Sequence, residues 1–237
     1  MKKKKGDLYL LSADLGSTTV DSVIPQAIQN KAFGIKYFIV ENIRTARRFL
    51  KKVNKAFDID SLSFFELNKH TDLSALNSFL APASKGHDIG LLSEAGNPCV
   101  ADPGSTIVRM AHERDIRVIP TVGPSSVIMA LMASGLNGQS FAFSGYLPID
   151  SKARNLKIKA LEHRSQNEKQ SQIFMETPFR NEKLLNALLS NCFETTKLCI
   201  AADITLESEF ILTRTVKTWK KNPPNINKRP CIFIIQA

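Results

Sequence analysis

No apolar run in this chain approaches the roughly 20 residues that a bilayer-spanning helix needs. The opening "MKKKKGDLYLLSADLGS" has a basic head, but "LYLL" is too short for the core of a signal peptide and Asp14 follows at once, so a cytoplasmic protein is expected. Cysteine and histidine are scarce and scattered. Cys99, Cys192, Cys199 and Cys231 form no C-x-x-C pair, and His70, His87, His112 and His163 show no ligand spacing with them or with each other. Neither a metal site nor a disulfide framework is expected. Also missing are G-x-G-x-x-G, G-x-x-x-x-G-K-[ST] and G-x-S-x-G, which removes the usual signatures of dinucleotide binding, nucleoside triphosphate binding and an α/β-hydrolase nucleophile. There is no low-complexity linker and no internal repeat, so two packed halves are expected rather than tethered ones.

What is present reads as α/β. A hydrophobic fraction of 43% and a charged fraction of 23% over 237 residues suit a globular protein with a substantial core. Strands are predicted over 7–13, 35–42, 61–67, 88–95 and 116–122 from their length and their β-branched or aromatic content. Between them, Ile24, Ala27 and Ile28 share a helical face, as do Ile43, Ala46, Leu50 and Val53, then Leu73, Leu76 and Leu80, then Ile107, Val108 and Ala111. This alternation predicts a mostly parallel N-terminal sheet with helices on both faces. After a helix through Val127, Ala130, Leu131 and Ser134 that ends at Gly135, strands are predicted over 140–147, 171–178, 197–204, 209–216 and 229–237, with helices over 151–164 and 180–190. Adjacent strands without an intervening helix predict a mixed C-terminal sheet. The domain boundary falls near Pro120 to Gly123, giving domains 1–120 and 121–237.

The densest punctuation is "SEAGNPCVADPGS", residues 93–105, directly after the apolar "DIGLL". A loop at the carboxyl end of a buried strand is where open α/β sheets bind ligands. Gly96 and Gly104 allow close backbone approach, Asp102 is expected to cap the following helix, and Pro103 suits its first turn. "TVGPSS" repeats the pattern at Gly123 and Pro124, so two strand–loop–helix junctions can aim backbone N–H groups into one cleft. Two well-capped helices would use the same residues. On physical grounds alone the chain is a two-domain α/β protein with a ligand cleft.

At these residues the chain resembles the central region of the tetrapyrrole methylase superfamily. It is most similar to the branch that methylates a ribose 2′-hydroxyl of small-subunit ribosomal RNA. That branch carries S-[DE]-A-G-x-P-x-x-x-D-P-G, matched by Ser93 to Gly104, then P-G-P-S, matched by Val122 to Ser125 with valine in the first place, then G-[FY]-L-P, matched by Gly145 to Pro148. Weaker echoes are "LYLLSADLGS", "VENIRTARRFL" and "FMETPFRNEKLL". The resemblance implies two α/β domains, S-adenosylmethionine (SAM) bound in the cleft between them, and a homodimer. The donor-binding residues it implies are Ser93, Ala95, Gly96, Pro98, Asp102, Gly123, Pro124 and Ser125, with Ser12 to Gly16 at the rim and Met175, Glu176 and Thr177 from the second domain. The departures fall on the acceptor side. The branch opens A-T-P-I-G-N where this chain has "SADLGS". Its A-E-D-T-R reads "VENIR", keeping Glu41 and Arg44 but placing Asn42 at the acid, and its H-E-H-N-like stretch reads "FELNKH".

An alcohol nucleophile needs a proton acceptor. Glu41 and Glu94 are the foremost candidates, with Asp14 and Glu176 behind them; alternatively Glu94 orients the loop and Glu41 pairs with Arg44. The net charge of +10 favours an RNA partner, and equally a soluble surface. "RTARRFLKKVNK" presents Arg44, Arg47, Arg48, Lys51, Lys52 and Lys55. "RTVKTWKKNPPNINKRP" adds Arg214, Lys217, Lys220, Lys221, Lys228 and Arg229 around Trp219. Phosphate contacts from such groups bring salt-dependent affinity without sequence information, and ordinary solvated faces explain them equally. The Lys2 to Lys5 run is read as a frayed terminus. Three functions stand: an RNA ribose methyltransferase, a tetrapyrrole or other small-molecule methyltransferase, and a SAM-binding relative without catalysis.

Overall fold

Five of the expected strands form one parallel sheet. They are β1 (Leu8–Leu11), β2 (Tyr37–Val40), β3 (Ser63–Glu66), β4 (Ile89–Leu92) and β5 (Val118–Pro120), in the order β3-β2-β4-β1-β5. The structure is a computed structural model that describes residues 4–17, 19–68, 71–72 and 74–237. His70, Leu73, Lys2 and Lys3 lie outside the described residues. Each strand is shorter than the run that predicts it, because the flanking "SA", "EN" and "SEA" leave the ladder for the loops at the sheet's carboxyl edge.

The chain divides between Ser125 and Ser126 into two compact units. In the first, the sheet is buried on both faces, as a parallel sheet requires. Phe38 and Val40 of β2 enter one core with Ala46 and Leu50, while Ile39 between them enters another with Leu76, Ile107 and Ala111. Helices α1 (Gln26–Phe33) and α2 (Ile43–Val53) cover the first face, and α3 (Leu76–Phe79), α4 (Ala81–Ser84) and α5 (Ser105–Glu113) the second. The face expected from Ile24, Ala27 and Ile28 is corrected: Pro25 stands at the N-cap of α1, Ile24 precedes the helix and Ala27 is exposed. Gln29 and Ala32 are buried instead, and the Gln29 amide donates to the Ile24 carbonyl (2.9 Å) and to Asp21 (2.8 Å).

The second unit holds a mixed sheet, as expected. β6 (Phe141–Tyr146), β7 (Ser171–Glu176), β8 (Lys197–Ala202), β9 (Phe210–Thr215) and β10 (Cys231–Gln236) lie in the order β6-β7-β10-β8-β9. Only the β6–β7 pair is parallel, and the 18-residue helix α7 (Ser151–Glu168) supplies the crossover that such a pair needs. Helix α6 (Ser126–Ser134) buries Val127, Ala130, Leu131 and Ser134 and stops at Gly135, whose φ of +67° ends the helix. Helix α8 (Asn181–Asn191) buries Leu184, Leu185, Leu188 and Leu189.

A short helix, α9 (Val216–Lys221), occupies the basic segment after β9 and is capped by Thr215. It buries Trp219, whose indole N–H donates to the Leu198 carbonyl at 2.8 Å. The ring at the centre of that basic cluster is therefore core, out of reach of a nucleobase. Among the described residues no helix is long and apolar enough to cross a membrane.

Candidate functional site

At the carboxyl edge of the parallel sheet, β2 continues toward β3 on one side and β4 toward β5 on the other. The connections diverge between β2 and β4, and such a divergence opens the crevice in which α/β sheets bind ligands. Among the segments that leave from this edge are residues 12–17 after β1, 41–42 after β2, 93–104 after β4 and 121–125 after β5.

The loop after β4 bends sharply. Gly96, Cys99, Ala101 and Gly104 have φ of 69°, 68°, 63° and 136°. For Cys99 and Ala101 that conformation costs about 1 kcal/mol or more each, so the surroundings must hold it. The Ser93 hydroxyl donates to the Gly96 carbonyl at 2.6 Å. Ala13 and Gly96 exchange both backbone hydrogen bonds, at 2.9 and 3.2 Å, and the Ser12 hydroxyl donates to Asn97 Oδ1 at 2.7 Å. The segment after β5 closes on the same group: a Cβ at Gly123 would stand 2.2 Å from that of Ser12, and one at Gly96 would stand 3.4 Å from the Pro124 carbonyl oxygen. Ser93, Gly96, Pro98, Asp102, Gly123 and Pro124 thus belong to interlocked loops at one sheet edge, with Pro98 and Pro124 buried. Ala95 lies on their exposed side and Ser125 ends the last segment before α6. Met175 belongs to the second unit, half-buried near the end of β7.

Asp102 does not cap α5. Gly104 holds the N-cap position, with no side-chain capping bond, and Pro103 lies ahead of the helix instead of inside its first turn. Glycine is required there, since a Cβ would come within 2.9 Å of both Cys99 Sγ and Leu91 Cδ2 at a φ of 136°. Asp102 is instead left beside two other carboxylates. Burial, then Glu41, then Glu94 push its pKa up to about 6. Burial, and after it Glu94, raise Glu41 as well. Glu41 and Asp102 line one recess with Val40, Leu67, Ser93 and Pro103.

No Glu41–Arg44 pair forms among the described residues. The Asn42 side chain accepts from the backbone N–H groups of Arg44 (2.9 Å) and Thr45 (3.2 Å), starting α2 so that the Arg44 side chain is exposed. One turn on, the Thr45 hydroxyl donates to Glu94. Near the other end of α2, the Lys52 ammonium donates to Asp14 (2.7 Å) and to the Ser17 carbonyl. Helix α2 therefore ties the loops after β1 and β4 together. Much of its basic face is already engaged, for Arg47 pairs with Asp60 (2.5 Å) and Lys51 donates to the Lys55 and Phe57 carbonyls. Arg44 and Arg48 are exposed and have no ion pair among the described residues.

In the second unit Glu176 is buried, accepting from the Thr177 N–H (2.7 Å) and from Arg180 Nε (3.0 Å) and Nη2 (2.5 Å). That carboxylate is already engaged within its own unit. Among the described residues no set of three or more His, Cys, Asp or Glu is arranged to hold a metal ion.

Sequence reasoning missed Thr45 and Asn97, and read Asn42 only as a departure from the motif and Lys52 only as a phosphate-binding candidate. Asn42 had a signal, an asparagine directly before an apolar-periodic helix. The contacts Thr45–Glu94, Lys52–Asp14 and Ser12–Asn97 join residues dozens of positions apart and leave no local pattern.

A family model described as Tetrapyrrole (Corrin/Porphyrin) Methylases matches residues 36–219. Among curated relatives, a ribosomal RNA small subunit methyltransferase I from Escherichia coli O157:H7 is 33% identical over 236 residues, covering 98% of this chain and 78% of that protein. Its namesake from Haemophilus influenzae is 32% identical over 177 residues, so the match spans 73% of this chain and only 61% of that relative. Among solved structures, the methyltransferase CobJ has a TM-score of 0.63 at 14% identity, covering 98% of this chain and 94% of that one. The uroporphyrin-III-C-methyltransferase from Thermus thermophilus has a TM-score of 0.55 at 15% identity over the same shares. At those identities the structural likeness establishes the fold alone.

Proposed function

Because the chain belongs to the tetrapyrrole (corrin/porphyrin) methylases, we propose that it transfers a methyl group from SAM to a ribose 2′-hydroxyl of small-subunit ribosomal RNA, as a cytoplasmic homodimer. The observation that carries this reading is the likeness, over 98% of the chain, to a relative named for methylation of small-subunit ribosomal RNA.

The residues at the sheet edge fit such a donor. SAM is a cation at sulfur, and Glu41, Glu94 and Asp102 concentrate negative charge where the loops meet. Gly123 lets Ser12 pack against the segment after β5, and Gly96 supplies the left-handed turn of the loop after β4, so the two glycines hold these loops together at the edge where the donor would lie. When bound, SAM supplies a methyl group on a good leaving group, which leaves the chain mainly the task of holding donor and hydroxyl in line. Ser93, Ala95, Gly96, Pro98, Asp102, Gly123, Pro124, Ser125 and Met175 are assigned to donor binding. The remaining chemical need is a home for the hydroxyl proton. Glu41 suits it best: its raised pKa makes it a stronger base than a solvated carboxylate, while Glu94 is engaged by Thr45 and is assigned to orienting the loop. Arg44 and Arg48, with Arg47 once released from Asp60, are assigned to RNA phosphates.

The test is incubation with tritiated SAM and undermethylated small ribosomal subunits, with calorimetric SAM binding on the same batch. Label in RNA, mapped to one ribose, is expected, and Asp102→Ala weakens SAM binding with the fold intact. SAM binding without labelled RNA refutes the RNA acceptor and directs the search to a tetrapyrrole or to an inactive relative. No SAM binding refutes the methyltransferase itself.

A further inference from the structure

Phe179 presents an unusual combination of a fixed backbone and a bare ring. Its side chain is 76% exposed, although isolated exposed apolar residues are common and mean little alone. Here the chain on both sides is locked. Pro178 begins a tight helical turn, residues 178–180, and the Arg180 N–H closes it on the Thr177 carbonyl at 2.9 Å. The buried Glu176 carboxylate grips Thr177 and Arg180, the Lys228 N–H donates to the Pro178 carbonyl at 3.1 Å, and the buried Asn181 amide donates to the Arg229 carbonyl at 2.5 Å. The ring thus stands on a braced turn at the carboxyl end of β7, and binding a partner there would order its side-chain torsions without having to order the backbone.

The surroundings select the partner. Lys183, one helical turn on, and Lys228, bonded to the preceding residue, are exposed cations; Glu182 is the exposed acid of the group. The Arg180 charge is met by Glu176. A flat, exposed aromatic flanked by lysines matches single-stranded nucleic acid, in which an unpaired base stacks on the ring and its phosphates meet the ammonium groups. The contrast is Phe193, 65% exposed, where the neighbouring Glu194 already pairs with Lys220, so that lysine is engaged by a carboxylate.

We propose that Phe179 is a stacking platform for one unpaired base of the RNA substrate, flanked by Lys183 and Lys228 as phosphate contacts. This rests on the RNA reading above and adds where the RNA is gripped. The test compares wild type with Phe179→Ala, Phe179→Leu and Phe179→Trp, using undermethylated small ribosomal subunits, tritiated SAM and calorimetric SAM binding. Loss of one base–aromatic stack is expected to raise KM for subunits about 5- to 50-fold in Phe179→Ala. Phe179→Trp stays near wild type, and Phe179→Leu, apolar but not planar, stays impaired. SAM affinity and thermal midpoint remain unchanged in all three. An unchanged KM in Phe179→Ala overturns the platform, as does full activity in Phe179→Leu, or a loss of SAM affinity that accounts for the defect. If wild type itself neither binds nor labels subunits, the RNA reading has failed and the platform with it, which is a different result from a wild-type enzyme indifferent to Phe179.

Discussion

A carboxyl group that titrates at about 6 in the folded protein, against an ordinary 3.8, holds its proton more tightly folded than unfolded. For Asp102 the stabilising contribution of that proton is fully present below pH 3.8 and is lost as pH rises through about 6. Asp102→Asn removes the charge that burial and the two neighbouring glutamates oppose. It is expected to raise stability at pH 7.5 by about 1–2 kcal/mol after allowance for solvent screening of a half-buried group, read as a higher urea midpoint. The gain shrinks toward zero below pH 4, and a gain independent of pH would assign the effect to packing instead. The same substitution is expected to weaken SAM binding, because the sulfonium loses a counter-charge. Stability and function would then move in opposite directions, as they do where a site keeps like charges together for use.

At the scale of the element, α2 carries more than its basic face suggests. Asn42 starts it, Thr45 reaches the loop after β4, and Lys52 reaches the loop after β1. Its buried stripe, Ala46 and Leu50, anchors the helix so that these polar contacts act from a fixed base. Lys52→Met leaves the buried Asp14 carboxylate without its cation and is expected to cost about 1–2 kcal/mol in urea unfolding, below the cost for a fully buried pair because Lys52 is partly exposed. A double-mutant cycle with Asp14→Asn should recover part of that loss. Additive effects in the cycle would show that the two side chains act independently.

At the scale of the whole molecule the relevant quantity is the field of a net charge of +10. Many of the cations counted in sequence are internally engaged, as Arg47, Lys51, Lys52, Arg180 and Arg229 show, so the charge available to a polyanion is smaller than the count. On α2, Arg44 and Arg48 remain exposed and without an ion pair among the described residues. Replacing both with alanine is expected to weaken binding to small ribosomal subunits and to flatten the slope of log affinity against log salt by about 1 to 2, without altering SAM affinity. An unchanged slope would remove α2 from the RNA-binding surface.

The sequence by itself determined the order of the strands, the parallel and mixed sheets and the helical faces of α2, α5, α6 and α8, because hydrophobic periodicity reports burial directly, whereas the short helices α4 and α9 are too brief to show a period. Its resemblance to the family was carried by "SEAGNPCVADPG" and the two shorter motifs after it. Its errors came where backbone chemistry competed with pattern: Pro25 displaced the start of α1, and Gly104 took the capping position expected of Asp102. Only the tertiary structure decided that Glu41 and Asp102 share a recess near Glu94, that Lys52 belongs to Asp14, that Trp219 is core and that Phe179 stands on a braced turn. Those facts depend on distances between residues remote in sequence, and local pattern carries no information about which side chains a sheet edge brings together.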